Sequence, residues 1–292
     1  MLTPQQITQY HDEGYTVVRE FLGRSAVDAL LADIVALTRE STVAHHDSTR
    51  LEMEPNQNAE GRKVRRIYEP CTYYPRFRSL SESKNLLDAV AQLIGPNLIL
   101  HLSKVNMKPA VLGSVVDWHQ DLTYYPLTNT DSVTALFYLE DADASNGCLQ
   151  VIPRSQHRVL DHTLNGVFQG RVTETVDTSQ AIYLEARAGS LILMHCLTPH
   201  SSAPNLSSKP RTTLILSYHA ADAFPIHLRG RTEAQETHAR LVRGQEVSEA
   251  RFGLKSFPIP RFPGDTRSLY ELQELSRKGM AGRTEDNPPV RS

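Results

Sequence analysis

Cysteine is scarce in this chain of 292 residues, and so is any excess of charge. Its three cysteines, Cys71, Cys148 and Cys196, are too few and too scattered for a disulfide framework or a thiolate zinc site. Cys148 and Cys196 lie in apolar, strand-like runs, where a thiol acts as a small buried hydrophobe. That usage fits a reducing compartment, and a cytoplasmic location is the expectation. The net charge of -2 provides no global basic field for nucleic acid. No apolar run approaches the roughly 20 residues of a membrane span. The opening Met1-Leu2-Thr3-Pro4-Gln5-Gln6 lacks the basic and apolar segments of a secretory leader. Internal repeats are lacking too. What remains is the composition of a soluble enzyme, with 40% hydrophobic and 22% charged residues. Its partner is expected to be a small-molecule substrate, and the oligomeric state is left open.

One domain over residues 1–292 is the expected organisation, because all-β barrels and sandwiches often run this long. Residues 3–95 read as an N-terminal helical region. Thr3-Pro4-Gln5-Gln6 has the cap, the proline and the Gln of a helix start. Gly14 stops that helix, and Tyr15-Thr16-Val17-Val18 is a short strand. Ser25 opens a second helix, with Val27, Leu30, Leu31, Ile34 and Leu37 on one face. Ser83 opens a third, ending at Gly95-Pro96. Between these helices, residues 42–66 are polar and without period, which reads as a mobile flap. Arg62-Lys63-Val64-Arg65-Arg66 within it reads as a solvated basic loop; the sharper alternative is a clamp for an anionic substrate.

From residue 98 to about 222 the pattern is one of short strands. Leu98–Met107, Val133–Leu139, Cys148–Ile152, Ala181–Leu184, Ser190–His195 and Thr212–Tyr218 are separated by turn signals. That spacing argues for a sandwich or barrel. Thr232–Val242 and Ser268–Arg277 read as helices of a C-terminal extension spanning 230–280. The tail 282–292 reads as frayed.

His119-Gln120-Asp121 carries the chemistry. On a strand, residues two apart face the same way, so an imidazole and a carboxylate can grip one ion together. A second imidazole from far along the chain, His200, completes a facial triad that leaves coordination sites open on iron(II) for oxygen chemistry. Arg211, eleven residues further, offers a planar fork for a carboxylate. Alone, a His-X-Asp triplet is weak, since the chain holds 12 histidines. His101, His157, His195 and His219 compete by type, but none has the carboxylate neighbour and the following arginine; they read as structural. Trp118 should face away from His119, as a packing residue or a substrate contact. Tyr124 and Tyr125 read as packing or pocket residues. Lys104, Asn106 and Lys108 alternate and share one face, which points either to solvent or into the barrel mouth.

Several blocks resemble the phytanoyl-CoA dioxygenase family. They are Trp118-His119-Gln120-Asp121-Leu122, Asn146-Gly147-Cys148-Leu149-Gln150-Val151-Ile152-Pro153 and the run from Gly189 through His200-Ser201-Ser202 to Arg211. The resemblance covers roughly residues 3–225. It implies a double-stranded β-helix, or jelly roll, with flanking helices. It implies iron(II), 2-oxoglutarate and dioxygen as cofactor and cosubstrates. His119, Asp121 and His200 then fall on the iron ligands and catalytic residues, and Arg211 on the partner of the distal carboxylate of 2-oxoglutarate. Ser202 falls on a second contact to that carboxylate. Asp121 stands where iron halogenases of related fold carry a small residue, so hydroxylation of a C–H bond in a small metabolite is the expectation, with succinate and carbon dioxide as co-products. The alternatives are a phytanoyl-CoA-like acyl-CoA hydroxylase and a catalytically silent binding protein, which would be expected to lose Asp121 or Arg211.

Overall fold

Alternation of apolar side chains along the strands sorts the chain into two packed layers. The computed structural model describes residues 1–226, 237–262 and 268–279. Its helices are α1 (Pro4–Glu13), α2 (Arg24–Thr38), α3 (Pro70–Tyr73), α4 (Pro75–Ser81), α5 (Lys84–Ile94) and α6 (Leu269–Arg277). Its strands are β1 (Tyr15–Val18), β2 (Leu51–Met53), β3 (Val64–Tyr68), β4 (Leu98–Lys108), β5 (Val116–His119), β6 (Ser132–Tyr138) and β7 (Leu149–Val151). They continue with β8 (Thr163–Leu164), β9 (Val167–Phe168), β10 (Ile182–Tyr183), β11 (Leu191–His195), β12 (His200–Ser202), β13 (Arg211–Ala220) and β14 (Arg240–Arg243).

The major sheet runs β1-β11-β6-β13-β4-β3-β2, with β14 also paired to β4. The minor sheet runs β10-β7-β12-β5. The pairings within both sheets are antiparallel. This is the expected jelly roll with flanking helices. Leu136, Tyr138, Ile192, Met194 and Ile215 point inward from the major sheet and pack on Leu149 and Val151 of the minor one. The alternate residues Val133, Ala135, Phe137, Leu191, Leu193, Leu214 and Leu216 point outward under the helices. Because the side-chain period is two, that outward apolar row fixes which residues face the barrel interior.

Helices α1, α2 and α5 form as their patterns imply. The Thr3 hydroxyl accepts from Gln6 N at 3.2 Å, and Gln6 Oε1 accepts from Thr3 N at 2.9 Å, a closed capping box. Gly14 ends the helix at φ 82°, a backbone conformation that favours glycine. Helix α5 buries Leu86, Leu87, Val90, Leu93 and Ile94. Each such side chain contributes about 1.5–3 kcal/mol relative to exposure.

Three expectations are corrected. The segment 42–66 is not a structureless flap. β2 and β3 add to the edge of β4, Glu54 N donates to Lys63 O at 2.8 Å, and Val43 N donates to Gly61 O at 2.9 Å. Its arginines are not all solvated either. Arg62 is exposed, but Arg65 and Arg66 are buried on β3 and 4–5% exposed. The guanidinium of Arg65 pairs with Glu52 at 2.7 Å and Glu274 at 2.6 Å. Finally, of the helix expected at 232–242, the described part ends in strand β14; residues 227–236 lie outside the described residues, as does the tail expected to fray. Helix α6 forms where expected, and Ser268 caps it by accepting from Glu271 N at 3.1 Å.

Candidate metal centre

His119 closes β5, His200 opens β12, and the two are direct partners across the minor sheet. Their ring centroids are 4.0 Å apart. Asp121 is not on the strand; it begins a 3-10 turn, Asp121–Thr123. Gln120 between them remains extended, with φ -119° and ψ 132°, so the same-side relation of residues two apart persists past the strand end. Ligand atoms of the three side chains all lie within 4.8 Å of one another, and all three residues are buried.

The hydrogen bonds around this cluster fix its chemistry. His119 Nδ1 is 2.9 Å from Asp117 O, and His200 Nδ1 is 3.0 Å from Thr198 O. A carbonyl only accepts, so each Nδ1 carries the proton and each Nε2 presents a lone pair. Asp121 Oδ2 accepts from Thr134 Oγ1 at 2.6 Å, which leaves Oδ1 for another partner. That Oδ1 lies 3.9 Å from His119 Nε2 and 3.8 Å from His200 Nε2, too far for hydrogen bonds. Three acceptors thus converge without donors between them, each oriented from behind. This donor set fits a divalent first-row metal such as iron(II).

Electrostatics agree. Burial, and then His200, draw the His119 imidazolium well below its ordinary range. Burial also draws His200 down. Both rings are therefore neutral at pH 7, as ligation requires. Burial alone would raise the Asp121 carboxyl; His200 and His119 oppose that rise only when protonated, and the Lys104 charge and the Thr134 hydroxyl oppose it with the rings neutral, so the group stays ionised.

Gln120, which the sequence reading passed over, is fully buried and fastens the turn. Its amide donates to Leu197 O at 2.6 Å and Arg158 O at 2.9 Å, and its Oε1 accepts from Leu160 N at 2.7 Å. Its backbone N donates to His162 Nε2 at 3.1 Å.

Arg211 begins β13 opposite Lys108. Its Nη2 donates to Gly147 O at 2.7 Å and its Nη1 to Thr213 Oγ1 at 3.3 Å. Its Nε is buried with no partner among the described residues. Gly147, at φ 78°, lies against Ala203, where a Cβ would fall 2.4 Å from Ala203 O. Ser202 ends β12. Arg211, Ser202 and the three ligand residues line one cavity of about 50 Å³, also lined by Lys104, and by Leu269 and Tyr270 of α6. An orphaned guanidinium nitrogen in such a cavity fits a carboxylate.

A family model for phytanoyl-CoA dioxygenase (PhyH) matches residues 10–213. The chain belongs to the phytanoyl-CoA dioxygenase family. A probable alpha-ketoglutarate-dependent hypophosphite dioxygenase of Stutzerimonas stutzeri is 30% identical over 230 residues, covering 76% of this chain and 80% of that protein. A methylphosphonate hydroxylase of Gimesia maris is 26% identical over 220 residues, covering 75% and 81%. The crystal structure of EctD from S. alaskensis with 2-oxoglutarate and 5-hydroxyectoine aligns with a TM-score of 0.63 and 22% identity over 75% of this chain and 77% of that one. The chain is accordingly an oxidoreductase of the iron(II)- and 2-oxoglutarate-dependent dioxygenases, which consume dioxygen. Small molecules are the substrates of this group of relatives. No helix among the described residues is long and apolar enough to cross a membrane.

The remaining candidates fall outside the triad. His157 is exposed on its loop. His195 accepts from Leu197 N at 3.1 Å, and its ring packs against Tyr10. His101, Tyr125 and His219 line a neighbouring cavity of about 550 Å³. Trp118 is half-buried, on the opposite side of β5 from His119. The row Lys104, Asn106 and Lys108 faces the barrel interior, where Lys108 Nζ donates to Ser114 O and, at 2.8 Å, to Ala203 O. Thr134 and Tyr270 were missed: a threonine in an apolar strand and a tyrosine on a short helix carry no local signal of a site.

Proposed function

We propose that His119, Asp121 and His200 hold iron(II), and that Arg211 with Ser202 receives the distal carboxylate of 2-oxoglutarate, in an enzyme that hydroxylates a small metabolite. The observation that carries the reading is the set of three unprotonated ligand atoms turned on one point, with the unpartnered Arg211 Nε in the same cavity. When bound, iron(II) with 2-oxoglutarate and dioxygen supplies an oxidant able to remove hydrogen from a C–H bond, leaving succinate and carbon dioxide. The chain's own residues do the rest. Asp117 O and Thr198 O hold the imidazole tautomers, Thr134 holds the carboxylate, and Arg211 fixes the diacid by charge and by a fork. The apolar walls Leu136, Leu149, Met194 and Ile215 exclude water around the reacting centre.

By name, the relatives are a probable hypophosphite dioxygenase, ectoine dioxygenases, an L-proline trans-4-hydroxylase and a methylphosphonate hydroxylase. An acyl-CoA substrate finds no support, because Arg65 and Arg66 are buried on β3 instead of displayed at the surface for its phosphates. A silent binding protein is disfavoured by the presence of Asp121 and Arg211 together. We place the enzyme in the cytoplasm, on the three free buried thiols. The test is metal binding and 2-oxoglutarate-dependent succinate release in His119→Ala, Asp121→Ala and His200→Ala. Each should lose iron affinity and nearly all turnover with the fold intact by circular dichroism. Unchanged iron affinity in Asp121→Ala would remove that residue from the metal site.

A further inference from the structure

The barrel interior holds more positive charge than the metal and 2-oxoglutarate require. Lys104 projects inward from β4, between Tyr68 of β3 and Ile215 of β13 in register. It lines the same cavity as the triad. Among the described residues its ammonium makes neither a hydrogen bond nor an ion pair. Burial, followed by the like charge of Arg66, draws that ammonium down to about 8.

Arg66 stands beside it, facing Asn106 across the β3–β4 ladder. It is 4% exposed. Its Nε donates to Asn106 Oδ1 at 3.0 Å, and its Nη1 is 3.8 Å from Glu52 Oε2, a carboxylate already bound to Arg65 at 2.7 Å. Its Nη2 is buried with no hydrogen-bond partner. Lys104 therefore lines the cavity, and Arg66, with an unspent donor, stands just behind the lining residues Asn106 and Tyr270. Asp121 and Glu69 act on Lys104 without forming an ion pair, and Arg66 shares Glu52 with Arg65, so neither cation has a bonded counter-charge of its own and both would gain from an arriving anion.

The cosubstrate is not that anion. Lys108, beside Arg211, is four residues along β4 from Lys104, about 13 Å at the usual rise of an extended strand. On the reading above, the distal carboxylate of 2-oxoglutarate goes to Arg211 and Ser202; its other end would be held at the metal. The charge at Lys104 and Arg66 is left for a third party.

We propose that Lys104 and Arg66 form the substrate's anion site, and that the substrate is a small oxyanion, a carboxylate, phosphonate or phosphinate, held beside the metal by the ammonium and the free guanidinium nitrogen. The inference rests on the proposed roles of the triad and Arg211. It extends them by assigning two residues to the substrate and by fixing the substrate's charge. Ammonium and guanidinium groups bind tetrahedral and planar oxyanions alike, so the site selects charge and size, while the apolar walls select the rest.

The test uses the full-length protein loaded with nickel(II), which binds without turnover, and 2-oxoglutarate. Hypophosphite, methylphosphonate, L-proline and propionate are titrated by calorimetry, with dimethyl methylphosphonate as the uncharged control. At least one oxyanion should bind and the diester should not. Lys104→Met should weaken that binding about ten- to a hundredfold, the loss of a charge-assisted bond. Lys104→Arg, which keeps the charge, should restore most of it, and the dissociation constant of 2-oxoglutarate should stay within about threefold in both variants. If Lys104→Met weakens 2-oxoglutarate instead, or if no oxyanion binds wild type while 2-oxoglutarate does, the inference falls and the functional reading stands. If 2-oxoglutarate fails to bind the nickel-loaded wild type, the functional reading itself falls, and the inference with it.

Discussion

Replacing Arg211 by alanine should separate the two ends of the cosubstrate. In the structure Arg211 spends Nη2 on Gly147 O at 2.7 Å and makes a long Nη1 bond to Thr213 Oγ1 at 3.3 Å. Its Nε is unspent. A carboxylate arriving there gains one charge-assisted bond from Nε and a second if Nη1 exchanges its weak partner. Bonds to charged groups are worth about 1.5–3 kcal/mol each. The second bond would replace the one Nη1 already makes to Thr213, so only the first counts as a net loss. The net expectation is about 1.5–3 kcal/mol, or roughly ten- to a hundredfold in the dissociation constant of 2-oxoglutarate. Alanine also strips Gly147 O of its donor in a buried setting, which should lower stability by about 1–3 kcal/mol. The assay is anaerobic calorimetry of 2-oxoglutarate into iron(II)-loaded protein, alongside iron titration and urea unfolding. Iron affinity should be unchanged, because the triad hangs on the minor sheet and Arg211 on the major one. Arg211→Lys should recover charge but not the fork, and fall between wild type and alanine. Normal 2-oxoglutarate affinity in a folded Arg211→Ala protein would refute the reasoning.

Thr134→Val keeps the shape of the strand but removes the 2.6 Å bond to Asp121 Oδ2; iron affinity should fall about ten- to a hundredfold, as loss of a partner behind a ligand commonly does, with thermal stability nearly held, and an unchanged iron titration curve would show that Asp121 orients itself. The buried rings of His162 and His195 have pKa values drawn down to about 4 by burial. A depressed histidine favours the neutral folded form, so the stability it contributes is full above about pH 6.5 and is lost as the pH falls towards 4, by up to about 3 kcal/mol for each ring. Urea unfolding at a series of pH values should show that fall, and His195→Gln should flatten it; a profile unchanged by His195→Gln would refute the assignment. The cavity of about 50 Å³ has room for a few waters, not for a five-carbon diacid. Binding of 2-oxoglutarate to metal-loaded protein should therefore displace Leu269 and Tyr270 and speed hydrogen exchange in α6, and slower or equal exchange there would show that the cosubstrate enters elsewhere.

The parts of this molecule that were readable from sequence are those whose signal is local. The capping box of α1 lies within four residues. The strand runs declare themselves by apolar period, and the His-X-Asp spacing survives even though the strand ends at His119, because an extended Gln120 keeps the two side chains on one side. Period two also told that Lys104, Asn106 and Lys108 share a face. It could not tell which way the face points, since the sign of a strand is set by what packs on the other side: here Val105 is buried against the helices, and that contact turns the lysines inward.

What sequence could not show is what long-range pairing decides. Arg65 and Arg66 look like surface charge in a polar stretch. Their burial depends on Glu52 next door and on Glu274, 209 residues from Arg65, together with the ring of Tyr270 lying 4.7–4.8 Å from both guanidinium carbons. No local window contains both halves of that network. The same pairing links the last described helix to the barrel wall, for Ser268 Oγ donates to Glu52 Oε1 at 2.5 Å, and Gln273 Oε1 accepts from Asp117 N at 2.9 Å, two residues before His119. One helix thus touches both the strand that carries the first metal ligand and the arginine pair on the opposite wall. A change in how α6 seats would be felt at the metal and at the anion site together. That coupling follows from the hydrogen bonds themselves and not from the family-like blocks of the barrel, which place the chemistry but leave its walls to the rest of the chain.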